Sequence, residues 1–380
     1  MPSEDYSATP KPGKRLQLSC RRAGCFLLGI LCLPVILFLL FLTVLSPPAR
    51  AAAPPAPLRN NFMKGISYVS AEWGEQPRFS SAESDQTLSE IVVPSGANWL
   101  AVIVTCHQQN KMSTEIGCER AASDDDLRHV MQRAHDQGLS VMLKPHVDLL
   151  DMKDANTGRF NIDFGSDEAS WAAWFESYSR VITHYAELAE EMGAEYFAVG
   201  TELGGTTHRA DEWRALVARV RELYGGRLTY AALTYVEPVQ ITWWDALDSI
   251  GIDAYFGLTL TKAPTLAQMS LGWTPTIVYL NWLAAHWQMP VILTEIGYMS
   301  VDGTNILPGY WSLDGDTDLQ EQADAYQSLI EAFSGQEWWQ GIFWWALSTD
   351  PQQGGAEDQY YSFAGKPAED VLWNFFHMDE

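Results

Sequence analysis

Phe197-Ala198-Val199-Gly200-Thr201-Glu202-Leu203 and Val291-Ile292-Leu293-Thr294-Glu295-Ile296-Gly297 each run through apolar residues into a single glutamate. Runs this short and this apolar suit parallel strands covered on both faces. A carboxylate at the end of such a strand costs several kcal/mol to bury unless it is paired or hydrogen-bonded. The two stretches therefore read as strands that deliver an acid to a polar site.

Six further runs of the same kind surround them. In order, the strands are expected at Lys64–Val69, Trp99–Cys106, Ser140–His146, Tyr196–Thr201, Leu228–Leu233, Gly251–Tyr255, Val291–Glu295 and Gly341–Trp345. Helical stretches fall between them. Ser123-Asp124-Asp125-Asp126 opens one and Gly138 closes it. Others are expected over Ser166–Met192, His208–Tyr224, Thr276–Gln288 and Thr317–Phe333, the last with a Thr-x-x-Gln cap. Eight strands alternating with helices predict an α/β protein, a single-domain (β/α)8 TIM barrel. A doubly wound open sheet is the rival. It ordinarily carries a glycine-rich phosphate loop after its first strand, and Gly65-Ile66-Ser67-Tyr68 is not one.

Chemistry in these barrels sits at the C-terminal ends of the strands. The candidates are then Glu72 and Trp73 after the first strand, and His107 and Gln108 after the second. Lys144, His146 and Asp148 close the third, and Glu202 the fourth. Thr234 and Tyr235 follow the fifth. Asp253 and Tyr255, Glu295 and Tyr298, and Trp344 and Trp345 close the last three. Strands four and seven stand on opposite sides of a barrel mouth, so Glu202 and Glu295 can face each other. Glycosidic bond cleavage needs such a pair, one carboxylic acid to protonate the leaving oxygen and one carboxylate to attack. The alternative is two salt-bridged structural glutamates. The catalytic reading requires that neither points to the barrel's underside or is locked against an arginine.

The supporting residues follow from their places. Tyr255 is either a hydrogen-bond donor to Glu295 or a core tyrosine. Lys144 and His146 alternate on one strand and point the same way. They either bind sugar hydroxyls or tune Glu202, or form an internal ion pair with Asp148 or a neighbour. One of Trp344 and Trp345 must point inward as a floor under the sugar, and the other packs on the helices. Trp73 is a candidate subsite wall, and His107 and Tyr298 complete the candidate substrate-binding set.

Gly138-Leu139-Ser140-Val141-Met142-Leu143-Lys144-Pro145-His146-Val147-Asp148 resembles the strand-three signature of glycoside hydrolase family 113. Gly200-Thr201-Glu202-Leu203, Ile252-Asp253-Ala254-Tyr255-Phe256 and Thr294-Glu295-Ile296-Gly297-Tyr298 are similar to its strand-four, six and seven signatures. The resemblance spans about residues 62–376. It implies β-1,4-mannan hydrolysis with retention of configuration, Glu202 as acid/base and Glu295 as nucleophile. Many members of the wider clan place Asn before the acid/base, where it meets the sugar 2-hydroxyl; here the residue is Thr201.

Lys and Arg number 24 against 48 Asp and Glu, a formal charge of −24. Residues 1–60 hold seven of the basic and two of the acidic residues, so the remainder is more acidic still. Such a surface repels phosphate backbones, and nucleic acid is not an expected partner. A neutral glycan is not repelled. The 16 Trp exceed what core packing alone suggests, and at least one sugar-stacking platform is expected.

Residues 25–46, from Cys25 to Ser46, form an uncharged apolar run long enough to span a bilayer. Lys11, Lys14, Arg15, Arg21 and Arg22 precede it and place the N-terminus in the cytoplasm. The expected division is a basic terminus at 1–24, a transmembrane signal anchor or cleaved signal peptide at 25–46, a Pro/Ala linker at 47–61, and the barrel at 62–380. The length of the run favours the anchor. The barrel is then extracellular or cell-surface, or secreted if the segment is cut. Cys106 and Cys118 lie in the exported part and either form a disulfide or remain two buried thiols.

No H-E-x-x-H metal spacing and no Gly-x-Ser-x-Gly elbow occurs. Asp314-Gly315-Asp316-Thr317-Asp318 has a fragment of calcium-loop spacing but reads better as an acidic helix start. No cofactor and no metal is expected. The reading is a retaining endo-glycoside hydrolase acting on β-1,4-mannan-type polysaccharide. The alternatives are the same chemistry on glucan, xylan or galactan, or a surface glycan-binding barrel without turnover.

Overall fold

Eight parallel strands close on themselves: β1 (Met63–Val69), β2 (Trp99–Gln108), β3 (Ser140–Leu149), β4 (Tyr196–Thr201), β5 (Arg227–Leu233), β6 (Ile250–Asp253), β7 (Val291–Ile296) and β8 (Trp339–Ser348). Each pairs with the next, and β1 pairs with both β2 and β8. The computed structural model describes residues 61–70, 78–151 and 157–378. The expected basic terminus, the apolar run and the linker up to residue 60 lie outside the described residues, as do Glu72 and Trp73. Among the described residues no helix is long and apolar enough to cross a membrane.

Strand alternation divides the apolar residues into two cores. Met63, Ala101, Ile103, Met142, Tyr196, Ile292 and Phe343 fill the barrel interior, with Val69, Trp99 and Trp345 packed against them. Gly65 makes room there, since a Cβ at that position would lie 2.2 Å from the Phe343 ring. The alternate residues face outward to the helices. Seven tryptophans are fully buried, most of them in that outer layer: Trp171, Trp174, Trp213, Trp243, Trp244, Trp273 and Trp344. The richness in Trp that suggested sugar platforms is therefore spent largely on packing.

The helices are α1 (Ala82–Thr87), α2 (Asp124–Asp136), α3 (Glu168–Met192), α4 (Ala210–Leu223), α5 (Leu266–Gly272), α6 (Thr274–Trp287), α7 (Leu319–Phe333) and α8 (Pro367–Phe376). Ser123 and Asp126 form the capping box that starts α2. Gly193 ends α3 at φ 68°. At α7 the cap is Asp318, accepting from Glu321 N, rather than Thr317, because the carboxylate also meets the positive end of the helix. Of the acidic 314–318 stretch only Asp318 starts the helix; the residues before it are non-helical, and Thr317 forms a β-bridge with Val301. Helices α1 and α5, of six and seven residues, are too short to show a period in the sequence, and α8 is a further helix beyond those expected. Between β5 and β6 there is only a single turn at Glu237–Gln240 and a 3-10 turn at Trp244–Ala246.

Strands β2 and β3 run further toward the mouth than expected. Ile116–Gly117 turns back antiparallel on His107 and Gln108 and extends the hydrogen-bonded ladder. That return brings Cys118 to Cys106 at a Cα separation of 4.4 Å, and the two form a disulfide.

Candidate active site

Glu202 follows directly on β4 in a left-handed backbone conformation, φ 53°, that a glutamate rarely adopts. Neighbouring strands hold it there. Glu202 N donates to Ala231 O at 2.8 Å, and Leu203 N donates to the Tyr230 hydroxyl at 2.8 Å. Tyr230 is in turn hydrogen-bonded to the buried Glu237 carboxylate. On the opposite wall, the β6–β7 pairing shifts register after Ile252, so that Asp253 opposes Glu295. One carboxylate oxygen each of Glu202, Asp253 and Glu295 lie within 4.8 Å of one another. Both glutamates thus reach one site, and neither points to the underside.

Lys144 sits among these acids, fully buried. Its Nζ lies 3.0 Å from Asp253 Oδ1 and 2.5 Å from Glu295 Oε1. A cation thus already pairs with two of the three carboxylates, Asp253 and Glu295. Thr294 Oγ1 donates to Asp253 Oδ1 at 2.8 Å, and the Tyr255 hydroxyl donates to Glu295 Oε2 at 2.9 Å. His146 Nε2 is 3.3 Å from Glu295 Oε1, outside good hydrogen-bond geometry. Burial, with Arg159 nearby, pushes the His146 pKa down to about 4, so the ring is neutral near pH 7.

These contacts separate the two glutamates electrostatically. Burial pushes Glu202 up, and the Glu295 charge adds to that, so its carboxyl stays above the ordinary range despite Arg159. Burial would raise Glu295 as well, but Lys144, His146 and Arg159 together outweigh burial and hold it well below the usual carboxylate range. Asp253 is raised by burial and by the neighbouring Glu295 charge. Two carboxyl groups whose surroundings push their pKa values apart in this way can supply an acid and a nucleophile.

The structure corrects several expectations. Lys144 bonds Glu295 and Asp253 rather than Glu202 and, at 0% exposure, is closed to a sugar, while His146 lies beside Glu295. Asp148 pairs with neither; it binds Arg159. Trp345 points inward and stacks on His146 with ring centroids 6.0 Å apart. Trp344 points outward and stacks on Tyr326 of α7 at 3.9 Å. Tyr298 lies in the same outer layer, 6.4 Å from Tyr326, and is fully buried. Neither Trp344 nor Tyr298 reaches the mouth, because the alternation that turns Trp345 in turns its neighbour out. His107 continues the inward row of Ala101, Ile103 and Thr105 and is nearly buried. Thr201 turns its hydroxyl to Pro145 O at 3.3 Å and is buried, so it does not take the place of the clan's Asn.

Two residues near the acids were not singled out from sequence. Tyr361, after β8, donates to Pro308 O and stands 6.5 Å from Tyr255. Arg159 lies in a 3-10 turn after β3, with Nε 3.1 Å from Glu202 Oε2 and Nη1 2.9 Å from Asp148 Oδ1. An arginine on Glu202 was the arrangement the catalytic reading had to avoid. It contacts one oxygen only and is itself divided with Asp148, so Glu202 is touched rather than enclosed. Loop residues like these carry no periodicity by which sequence could mark them.

The model of Glycoside Hydrolase Family 113 matches residues 70–366. Among solved structures, the chain is similar to a GH113 β-1,4-mannanase at 28% identity and a TM-score of 0.75, over 83% of this chain and 99% of that one. It is also similar to the GH113 β-mannanase AaManA from Alicyclobacillus acidocaldarius, at 27% identity and a TM-score of 0.73, over 84% of this chain and 98% of that one. A β-glucuronidase from Ruminococcus gnavus, at 13% identity and a TM-score of 0.56 over 84% of this chain and 49% of its own, shares the fold alone. No curated protein matches the chain by sequence. With the family match running through both glutamate-bearing strands, the chain belongs to Glycoside Hydrolase Family 113 and is a glycoside hydrolase.

Proposed function

We propose that the protein is a retaining endo-β-1,4-mannanase with Glu295 as nucleophile and Glu202 as acid/base. The observation that supports this most is the meeting of Glu202 and Glu295, oxygen to oxygen within 4.8 Å, in surroundings that push the first carboxyl up and the second down. That spacing suits double displacement, with carboxyl groups about 5–5.5 Å apart, and is short of the roughly 6.5–9.5 Å that inversion needs for its water.

In the first step a Glu295 oxygen forms a bond to the anomeric carbon, the glycosidic C–O bond breaks, and the Glu202 proton passes to the leaving oxygen. In the second, Glu202 takes a proton from water, the water oxygen bonds to the anomeric carbon, and Glu295 leaves as carboxylate. Trp345 forms the floor under the reacting sugar, and Tyr255 holds Glu295 in place. His107 and Trp73 are proposed to contact sugars further out. Mannan as substrate is supported by the mannanases the chain resembles over nearly their full length.

The barrel acts outside the cell, tethered through residues 25–46, and binds no nucleic acid; the apolar run, its basic flank and the acidic remainder support this. Incubating the protein with manno-oligosaccharides tests the activity. Wild type releases shorter oligosaccharides of retained β-configuration by NMR, and Glu295→Gln releases none. Unchanged turnover in that variant ends the assignment. A reducing-sugar assay on glucan, xylan and galactan that exceeded mannan would move the substrate and leave the chemistry.

A further inference from the structure

Arg159 contacts the acid/base, and the proposed mechanism does not use it. Its turn is fixed against the loop that carries Glu202. Gly205 N, three residues beyond Glu202, donates to Phe160 O at 3.0 Å. A Cβ at Gly205 would lie 2.3 Å from Ile162 O, so only glycine admits this approach. Arg159 is 14% exposed and Glu202 12%, whereas Asp148 is 42% exposed. The guanidinium therefore bridges a nearly buried acid and an acid at the solvent edge.

We propose that Arg159 is the positioning residue of Glu202 and that Asp148 sets how strongly it acts, because the two carboxylates compete for one guanidinium. This rests on Glu202 being the acid/base. The two halves of the reaction make opposite demands on that residue. In the free enzyme the Glu295 charge favours a protonated Glu202. Once Glu295 is esterified to the sugar its charge is gone, and the nearby guanidinium then stabilises Glu202 as the carboxylate that must take a proton from water. Asp148 draws part of that charge toward solvent and keeps Glu202 from ionising too early.

Opposite charges within about 4–6 Å lower a carboxyl pKa by roughly 1–3 units. The alkaline limb of kcat/KM against pH reports the general acid in the free enzyme. Lys144 on β3, Glu237 after β5 and Asp253 on β6 also face Glu202, and His146 on β3 faces Arg159. Glu295, Tyr255 and Tyr361 close the remaining side. All seven are retained in the variants below, so they cannot account for a difference between them.

The test is the pH profile of kcat/KM on manno-oligosaccharides for Arg159→Gln, Arg159→Lys, Asp148→Asn and the double variant. Arg159→Gln moves the alkaline limb up by about one unit, and Arg159→Lys moves it less. Asp148→Asn moves it down. The double variant follows Arg159→Gln, since Asp148 acts through the arginine. A merely structural role lowers rates without moving the limbs in opposite directions. Unmoved limbs, or limbs that move the same way, overturn the proposal. Should Arg159→Gln fail to fold, Arg159→Lys and Asp148→Asn carry the same test. A separate control addresses the assignment beneath it: azide restores turnover of an aryl manno-oligosaccharide with a good leaving group by Glu202→Ala. Rescue with unmoved limbs rejects the role of Arg159 alone, while absence of rescue rejects Glu202 as acid/base and the proposal with it.

Discussion

The Tyr255 hydroxyl donates to Glu295 Oε2 at 2.9 Å, from two residues beyond the end of β6 to the strand beside it. Burial and the Glu295 charge both push the phenol pKa up, so the hydroxyl remains a donor at any working pH. Together with Lys144 on Oε1, it leaves Glu295, the proposed nucleophile, with a partner on each oxygen. In Tyr255→Phe, the loss of a hydrogen bond to a charged group removes about 1.5–3 kcal/mol. The expected result is a kcat/KM roughly 10- to 100-fold lower. The ring still packs beneath Gly309, so Tm changes little. Kinetics at the pH optimum with a thermal melt check this, and an unchanged kcat/KM would show that the bond does not support the charge.

Lys144 is the one ammonium shared by Asp253 and Glu295, and none of the three is more than 3% exposed. Lys144→Met leaves two acids buried without their cation. Removing one partner of such a group costs about 3–5 kcal/mol. The variant's carboxyl groups then hold protons in the folded state more tightly than in the unfolded chain, so its stability falls as pH rises. Urea midpoints are expected to show a larger loss at pH 7 than at pH 5. Equal losses at both pH values would mean that the lysine contributes packing and not charge.

The strands and the two glutamates were legible because burial on both faces writes itself as an uninterrupted apolar run, and a lone acid at its end stands out. Trp344 and Trp345 were legible only as a pair: alternation demands that one turn inward, but the register that chooses between them comes from pairing with β1 and β7. Tyr298 misled for a related reason. It follows a catalytic strand, yet the chain leaves the strand there and turns the ring under α7. Arg159 and Tyr361 were invisible because they arrive at the mouth on loops, and loop positions are set by contacts such as Gly205 to Phe160 that no period encodes. The target of the Lys144 ammonium was also out of reach, since which acid it meets, Glu202 or Glu295, is decided across the barrel.

The Cys106–Cys118 bond, at a sequence separation of 12, pins the short return strand to β2 next to His107. Closing a loop of that length stabilises by about 3 kcal/mol in the chain-entropy account. The double variant Cys106→Ala, Cys118→Ala is expected to lose about 2–3 kcal/mol in urea unfolding. Wild type should lose a similar amount in strong reductant. A wild-type midpoint indifferent to reductant would mean that the two residues are thiols in solution.

Glu237 gives the fold a pH dependence of its own. It accepts from Leu233 N at 2.7 Å and from the Tyr230 hydroxyl, and it is 4% exposed. Burial, against those two hydrogen bonds, pushes its pKa up to about 8. In the unfolded chain the same group ionises near the ordinary glutamate value. Between the two, the folded state keeps a proton that the unfolded chain has released. Stability from this group is therefore complete below about pH 4.5 and declines as pH rises toward 8. A shift of this size corresponds to at most a few kcal/mol, at about 1.4 kcal/mol per pH unit. Glu237→Gln is neutral throughout and retains both a donor and an acceptor, so its urea midpoint should fall less between pH 5 and pH 8 than that of wild type. Because Tyr230 also receives Leu203 N, a side-chain amide that fails to replace the carboxyl there would loosen the backbone at Glu202. The variant would then lose activity at pH 5, where wild-type Glu237 is protonated and the two proteins should otherwise agree. A steeper decline in the variant than in wild type would show that Glu237 is ionised in the folded protein, and that the Tyr230 bond is made to a carboxylate.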